Sequence, residues 1–412
     1  MEFCSTNLKY EPPSNTPTNM AKKHARLLSY GLITMAATHT LTHVFGGIHT
    51  AIFSLLRTEF SLTLRQLGLI AAIPPLCQAL LALPTGLLSD RLGSKKMLLL
   101  SFAFAAAGAV LAGLAQSPVM LVAAISLVYI NTTIYHPASY SYTTKQFKPQ
   151  DRSKALGLHG AGGTLGHAMG PLAVSVLVGT LAWQWRQVYL VLAAPMILGI
   201  AMVLFIEEES PEEKRLHDDE PEEEGDAEKF LSASLVMFLV YSALRSMGGS
   251  MIASFLVLYL QDVRGMDIAI ASLISSATTL TGLLAAPIGG YMAARYGDKR
   301  WLQAALFCAF TLLALSFNIP GNTAFTLLYV AYGFTNTLGM APRSAIMAKL
   351  TPRRQRGLGY ALFFLPGSIV GAIAPVVAGY LAELIGFGNV FNVAIAVNFT
   401  ALAVLRFAVK VE

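Results

Sequence analysis

The chain has 412 residues, of which 55% are hydrophobic and only 13% charged, where soluble proteins carry about 25% charged residues. That composition excludes a soluble globular domain and requires lipid as solvent. The formal charge of +6 conceals an asymmetry, because 13 of the 23 acidic residues fall between Glu207 and Glu228 and the remainder is strongly basic.

Residues 1–26 read as a polar cytoplasmic tail. Its first twenty residues lack the apolar core of a signal peptide, and Met20, followed by Ala21, Lys22 and Lys23, has the features of a second start. Twelve apolar stretches follow, at about 27–56, 64–88, 96–115, 118–143, 154–181, 186–206, 230–260, 268–293, 300–318, 323–347, 358–384 and 388–408. Each is near the roughly 20 residues that a helix needs to cross a hydrocarbon core of about 30 Å. The first six make an N-terminal bundle over 27–206 and the last six a C-terminal bundle over 230–412. Between them, 207–229 is highly charged with two prolines, a composition that cannot bury a core, and reads as an acidic cytoplasmic linker. The predicted fold class is an all-α membrane protein, twelve transmembrane helices in two pseudo-symmetric six-helix bundles.

Counted over the short loops, Lys and Arg crowd one side of the membrane, from Lys22 and Lys23 through Arg353 and Arg354 to Lys410. The other side holds Arg57, Arg65, Arg186 and Arg264. The positive-inside rule then puts both termini in the cytoplasm of a multi-pass protein of an inner or plasma membrane. It also accounts for the basic balance without nucleic acid. Of the three cysteines, Cys4 is in the tail and Cys77 and Cys308 are in apolar helices, so no disulfide framework is indicated.

The halves repeat. GLLSDRLGSKK from Gly86 to Lys96 recurs as GYMAARYGDKR from Gly290 to Arg300, an offset of 204 residues. The same offset relates Arg152 to Arg356, Gly163 to Gly367 and Pro171 to Pro375. Internal duplication is a recurrent architecture of secondary transporters, with the solute site where the repeats meet.

The stretch from Gly86 to Lys96 resembles the loop between helices 2 and 3 of the major facilitator superfamily, which the twelve spans and the duplication also fit. The resemblance implies a gate in which Gly86, Asp90, Arg91, Gly93, Lys95 and Lys96 latch the halves on the cytoplasmic side. Asp90 would face the positive end of the eleventh span, a favourable place for a carboxylate. Ala294 stands in the acid's place in the second copy, so the latch is expected to be one-sided. Within the superfamily, the segment from His39 through Glu59–Ile70, the run Tyr135-His136-Pro137 and RSKALGLHGAGGTLGHAMGP from Arg152 to Pro171 resemble the fosmidomycin-resistance branch. That branch carries acids where this chain has His43 and Ala138. Gly157, Gly166, Gly170 and Pro171 also follow the glycine spacing of drug and proton antiporters, although Val174 and Ser175 replace its closing glycine pair. Small residues let helices approach closely, so these four are expected to pack the fifth span.

No acidic residue falls in the middle of a span, whereas Arg245 is central in the seventh and Arg343 well inside the tenth. A central Arg costs about 2.5–3.5 kcal/mol on insertion scales, so such residues face a cavity or a partner. His39, His43 and His49 fall on the first span, His136 on the fourth, and His159 and His167 on the fifth. In the fold that the resemblance implies, spans 1, 4, 7 and 10 line the cavity. The expected solute-binding set is Arg245, Arg343, His39, His43, His136, Tyr135, Asn131 and Asn336. His43, His39 and His136 are the proton-coupling candidates, since histidine titrates near neutral pH. His49, His159 and His167 are set aside as packing residues. His39 and His43 have the i, i+4 spacing of a metal pair, but no Cys or carboxylate is placed to complete it, and no metal site is expected.

The expected function is secondary active transport of a small organic anion such as a phosphonate, phosphate ester, carboxylate or anionic drug. It would be proton-linked or exchange-type, with alternating access, and export follows from the resemblance. The expected partners are that solute, protons and the lipid bilayer, for a monomeric chain without cofactor or catalytic residues. Two rivals are a drug/proton antiporter for neutral or cationic compounds and a non-transporting sensor or assembly factor on the same fold.

Overall fold

The computed structural model describes residues 29–147, 149–207, 232–351 and 356–411. The tail 1–26 lies outside these, as does all of the acidic linker except Glu207. The side chains of Asp90, Arg152 and Arg356 and the details of Gly86 and Gly367 lie outside them too. The described residues are mostly helical, with no strand.

The first span is interrupted. Helix α1 (Tyr30–His43) is capped by the Ser29 side chain and ends in a turn at Val44–Gly47, where Gly47 takes the left-handed conformation at φ 78°. Two short pieces follow, α2 (Ile48–Ala51) and α3 (Phe53–Phe60). The second to fourth spans are α4 (Leu64–Leu92), α5 (Ser94–Gly113) and α6 (Pro118–Gln146). The fifth, α7 (Pro149–Ala173), continues as a π turn over Val174–Thr180, and the sixth is α8 (Trp185–Leu204). Prolines inside these helices, such as Pro74, Pro75 and Pro137, are tolerated in membranes because neighbouring helices re-satisfy the freed carbonyls.

The later spans are α9 (Ala233–Asp262), α10 (Ile268–Leu280) continued by α11 (Gly282–Tyr296), and α12 (Asp298–Asn318). The tenth is split into α13 (Asn322–Thr337) and α14 (Met340–Leu350) at Leu338–Gly339. The last two run together as α15 (Arg356–Phe407), broken only at Gly386, whose φ of 77° is non-helical. These interruptions explain why nine helices among the described residues are long and apolar enough to cross a membrane while twelve spans are present. The breaks at Gly47 and Gly339 leave pieces too short to count, and α15 counts once for two.

Helix α5 packs between α6 and α8, and α12 packs against α13 and α15. The two bundles meet where α4 crosses α15, where α7 and its π turn lie along α10, and where α2 and α3 touch α9. A side-chain atom at Gly68 would run into the carbonyl of Pro375 at 2.6 Å, and one at Gly379 into that of Leu64. Glycine at both positions is what lets α4 and α15 approach. Across the same seam Ser175 donates to the Ala269 carbonyl at 2.7 Å and Ser276 to the Ala168 carbonyl at 2.8 Å.

At the loop face away from the termini the bundles are tied by charge. Arg57 makes a bidentate pair with Asp262 at 2.6 and 3.0 Å, Arg65 pairs with Glu383, and Ser54 donates to the Gln261 side chain at 2.9 Å. Among the described residues, the ion pairs that join the two bundles are these two. On the same face, within the first bundle, both oxygens of Glu59 accept from Arg186 and one also from Trp185. The Arg186 guanidinium holds that carboxyl below its ordinary value of 4.5.

The latch segment gives a mixed outcome. Gly93, with φ 81°, makes the turn between α4 and α5. Lys95, expected to hold the halves together, instead donates from Nζ to the carbonyl of Ile206 at 3.0 Å. It therefore ties α5 to the end of α8 inside its own bundle. Arg91 and Lys96 are exposed.

Candidate functional site

Two adjoining cavities of about 460 and 610 Å³ lie between the bundles and share Pro75, Ser250 and Gly371 in their walls. Their walls draw on α4, α6, α7, α9, α10, α13 and α15. The lining is therefore wider than spans 1, 4, 7 and 10.

The first bundle supplies a histidine cluster that reaches both cavities. Helices α1 and α7 run parallel in close contact because glycines take the crossing positions. A side-chain atom at Gly163 would meet the His39 ring, one at Gly166 the Thr40 carbonyl and His43 Cβ, and one at Gly170 the Gly46 carbonyl. Gly166 and Gly170 thus sit in the seam, and Pro171 packs beside Gly47. Gly157, expected in the same seam, has no atom within 4 Å of where its Cβ would lie. The seam uses Gly162 and Gly163 instead, because the 3.6-residue period carries Gly157 off the contact face.

This close approach brings five imidazoles together. The His39 and His159 rings stack at 4.0 Å, and His43 stacks on His167 at 4.0 Å. His136 meets His39 at 5.3 Å and His43 at 5.1 Å. His159 and His167, set aside as packing residues, belong to the cluster. His39 Nδ1 lies 2.7 Å from the backbone carbonyl of His159, to which it donates, and its Nε2 is buried without a partner. The ring nitrogens of His39, His43 and His136 come within 4.8 Å of one another. The pair on α1, for which the sequence offers no third ligand, therefore acquires one from α6. His136 lines the smaller cavity, and His167 and His49 the larger. His49 belongs to α2, beyond the break, and its ring lies against Tyr129 and Phe53.

The second bundle carries the arginines, on α9 and α14. Arg245 donates from Nη2 to the side-chain oxygen of Asn336 at 2.6 Å, and Asn336 lines the larger cavity with Tyr332 and Thr337. Ser246, the next residue on α9, lines the smaller one. Arg343, half-buried in α14, is near enough to Arg245 for the two charges to repel, and the buried Tyr241 faces both. No described carboxylate pairs with Arg245. The described acids Glu59, Asp262, Asp298 and Glu383 are each engaged by a basic partner at the ends of the helices.

Two expected solute ligands are placed elsewhere. Tyr135 is fully buried, and its hydroxyl donates to the Met35 carbonyl at 2.9 Å and lies 2.9 Å from the Thr38 hydroxyl. Asn131 is equally buried. Neither lines the two cavities, and Tyr135 instead braces α6 against α1. The residues missed are uncharged and polar: Gln78, Ser246, Ser250, Ser275, Thr278 and Thr279. Ser and Thr in membrane helices commonly satisfy themselves on the preceding turn, as Thr278 does on the Ile274 carbonyl. Composition alone does not separate such residues from cavity ligands.

A twelve-span fold with a cavity between two bundles, lined in part by polar side chains, is that of a membrane transporter. The chain belongs to the Major Facilitator Superfamily, whose family model matches residues 35–267 and 238–412. It is 25% identical over 368 residues to the fosmidomycin resistance protein of Escherichia coli strain K12, covering 86% of this chain and 87% of that one. To the sialic acid transporter NanX of the same organism it is 24% identical over 381 residues, covering 89% and 91%. A bacterial homolog of the human lysosomal transporter Spinster, solved in an inward-facing and occupied conformation, superposes with a TM-score of 0.79 at 18% identity. The match covers 92% of this chain and 96% of that one.

Proposed function

We propose that this chain moves a small organic anion across the membrane by alternating access, with Arg245 and Asn336 as the centre of the solute site. The candidate cargo is a phosphonate, phosphate ester, carboxylate or anionic drug. The observation that carries this reading is the half-buried Arg245, with one amide partner and no described carboxylate beside it. A guanidinium at membrane depth needs a counter-charge, and an incoming anion supplies it through charge-assisted hydrogen bonds. A sialic acid transporter among the relatives, carrying a solute that is itself an acid, fits the same chemistry. Arg343 adds positive potential near Arg245.

Both termini lie on the cytoplasmic side by the Lys and Arg bias of the loops. The face closed by Arg57–Asp262 and Arg65–Glu383 is then the outer one. Exchange of one anion for another would return the protein to its starting state with no fixed membrane acid. Export is favoured by the likeness to the fosmidomycin resistance protein.

The test is thermal unfolding of the purified protein against a panel of anionic, neutral and cationic solutes, followed by flux in proteoliposomes. An anion that binds the folded state raises the midpoint by mass action, and Arg245→Gln is expected to lower its flux at least tenfold. Wild-type flux in Arg245→Gln would remove the assignment. Stabilisation by cationic compounds alone would favour the drug antiporter reading.

A further inference from the structure

We propose that His39, His43 and His136 form a binding site for one first-row transition-metal dication, held inside the first bundle with its fourth coordination position opening toward the cavity. This inference does not depend on the anionic cargo. Three independent features of the cluster point the same way.

The first is convergence. One nitrogen from each of the three rings falls within 4.8 Å of the others. Tetrahedral ligands at about 2.1 Å from a shared zinc ion stand about 3.4 Å apart, so side-chain shifts that bring each pair of nitrogens together by up to about 1.4 Å close the site. His39 and His43 are one turn apart on α1 and share a face, and His136 approaches from α6.

The second is the state of the nitrogens. His39 uses Nδ1 to bond the His159 carbonyl and leaves Nε2 buried with no partner, and Nδ1 of His136 is also buried with none. A metal-ligating histidine ordinarily donates its other ring N–H to a carbonyl or carboxylate, which sets the tautomer and aims the free lone pair. His39 has that arrangement already.

The third is support and access. The rings of His159 and His167 stack on those of His39 and His43 at 4.0 Å and restrict their rotation. His136 is part of the wall of the smaller cavity, which gives the ion an entry path. Three neutral imidazoles with no described thiolate or carboxylate nearby suit Zn²⁺, Ni²⁺ or Cu²⁺, whereas Mg²⁺ and Ca²⁺ prefer oxygen ligands. The charge that the protein leaves uncompensated can be met at the fourth position by hydroxide or by an oxygen of an anion in the cavity.

The experiment uses the full chain, purified in detergent without a histidine tag, with His24 and His217 replaced by Ala to remove the two remaining histidines of the tail and linker. After treatment with chelator it is dialysed against ZnCl₂, NiCl₂, CuCl₂ or MgCl₂, and bound metal is counted per chain. The expected result is one equivalent of Zn²⁺, Ni²⁺ or Cu²⁺, none of Mg²⁺, a higher unfolding midpoint, and a Cu²⁺ resonance spectrum with splitting from imidazole nitrogen. His136→Gln is expected to weaken Zn²⁺ binding at least tenfold, and His39→Gln with His43→Gln to abolish it. Should the double variant fail to fold, His136→Gln, altered at the cavity wall, carries the decision. Binding well below one equivalent, or Zn²⁺ affinity unchanged in His136→Gln, would overturn the proposal. Anion flux measured on the same preparations keeps its failure distinct from that of the anion reading.

Discussion

Arg245 and Asn336 form a 2.6 Å charge-assisted hydrogen bond that joins the seventh span to the tenth at the wall of the larger cavity. The bond fixes the guanidinium against a residue of the cavity wall, and its Nε is left without a partner. If the amide acts through the arginine, the two substitutions are not additive. Asn336→Leu is expected to raise the solute Kd about tenfold in the wild-type background and to have little further effect in Arg245→Gln. A double-mutant cycle on solute binding checks this, with a coupling of about 1.5–3 kcal/mol expected for a bond to a charged group. Simple additivity would separate Asn336 from Arg245.

Tyr135 is expected to behave as a bracing residue. Its hydroxyl is engaged by Met35 and Thr38 across α1 and α6, so Tyr135→Phe should cost about 1 kcal/mol of stability and leave solute affinity within twofold. Thermal unfolding and binding titration of the same variant decide it; a large loss of affinity at unchanged stability would return Tyr135 to the solute site.

The ion pairs that close the face away from the termini should set how often that face opens. Both are partly exposed, and solvent screening keeps such pairs weak. Asp262→Asn combined with Glu383→Gln is therefore expected to raise the open population by roughly twofold to tenfold. The readout is the rate at which an impermeant thiol reagent, applied from that face, modifies Ser250→Cys in a chain whose three cysteines are replaced by Ser. Ser250 belongs to both cavities. High salt should move the wild type in the same direction by screening, and identical rates in wild type and variant would exclude a gating role.

The α1–α7 seam predicts opposite behaviour for two glycines. At Gly170 any side chain collides with the Gly46 and Val44 carbonyls, so Gly170→Leu should cost about 1–3 kcal/mol or more and disperse the histidine cluster. At Gly157 nothing is within reach, and Gly157→Ala should be neutral or stabilising by about 0.4–1 kcal/mol through the unfolded chain. Unfolding midpoints that fall equally in both would mean that the seam is misplaced.

The sequence by itself determined the number of spans, the duplication and the rarity of charge at membrane depth. Hydropathy is a local property, and lipid allows little choice beyond a helix for a stretch of 20 apolar residues. Arg245 stood out for the same reason: a buried cation is costly wherever its helix happens to turn. Which side chains meet was left to the tertiary structure. His159 and His167 join His39 and His43 because glycines at 163, 166 and 170 let two parallel helices close on one another. Tyr135 is one residue from His136, yet 100° of helix rotation sends it into the bundle while His136 reaches the cavity. The breaks after His43 and before Met340, the replacement of Gly157 by Gly162 and Gly163 in the seam, and the inward reach of Lys95 to Ile206 depend equally on close packing. Packing is a relation between surfaces, and no single segment of the chain contains it.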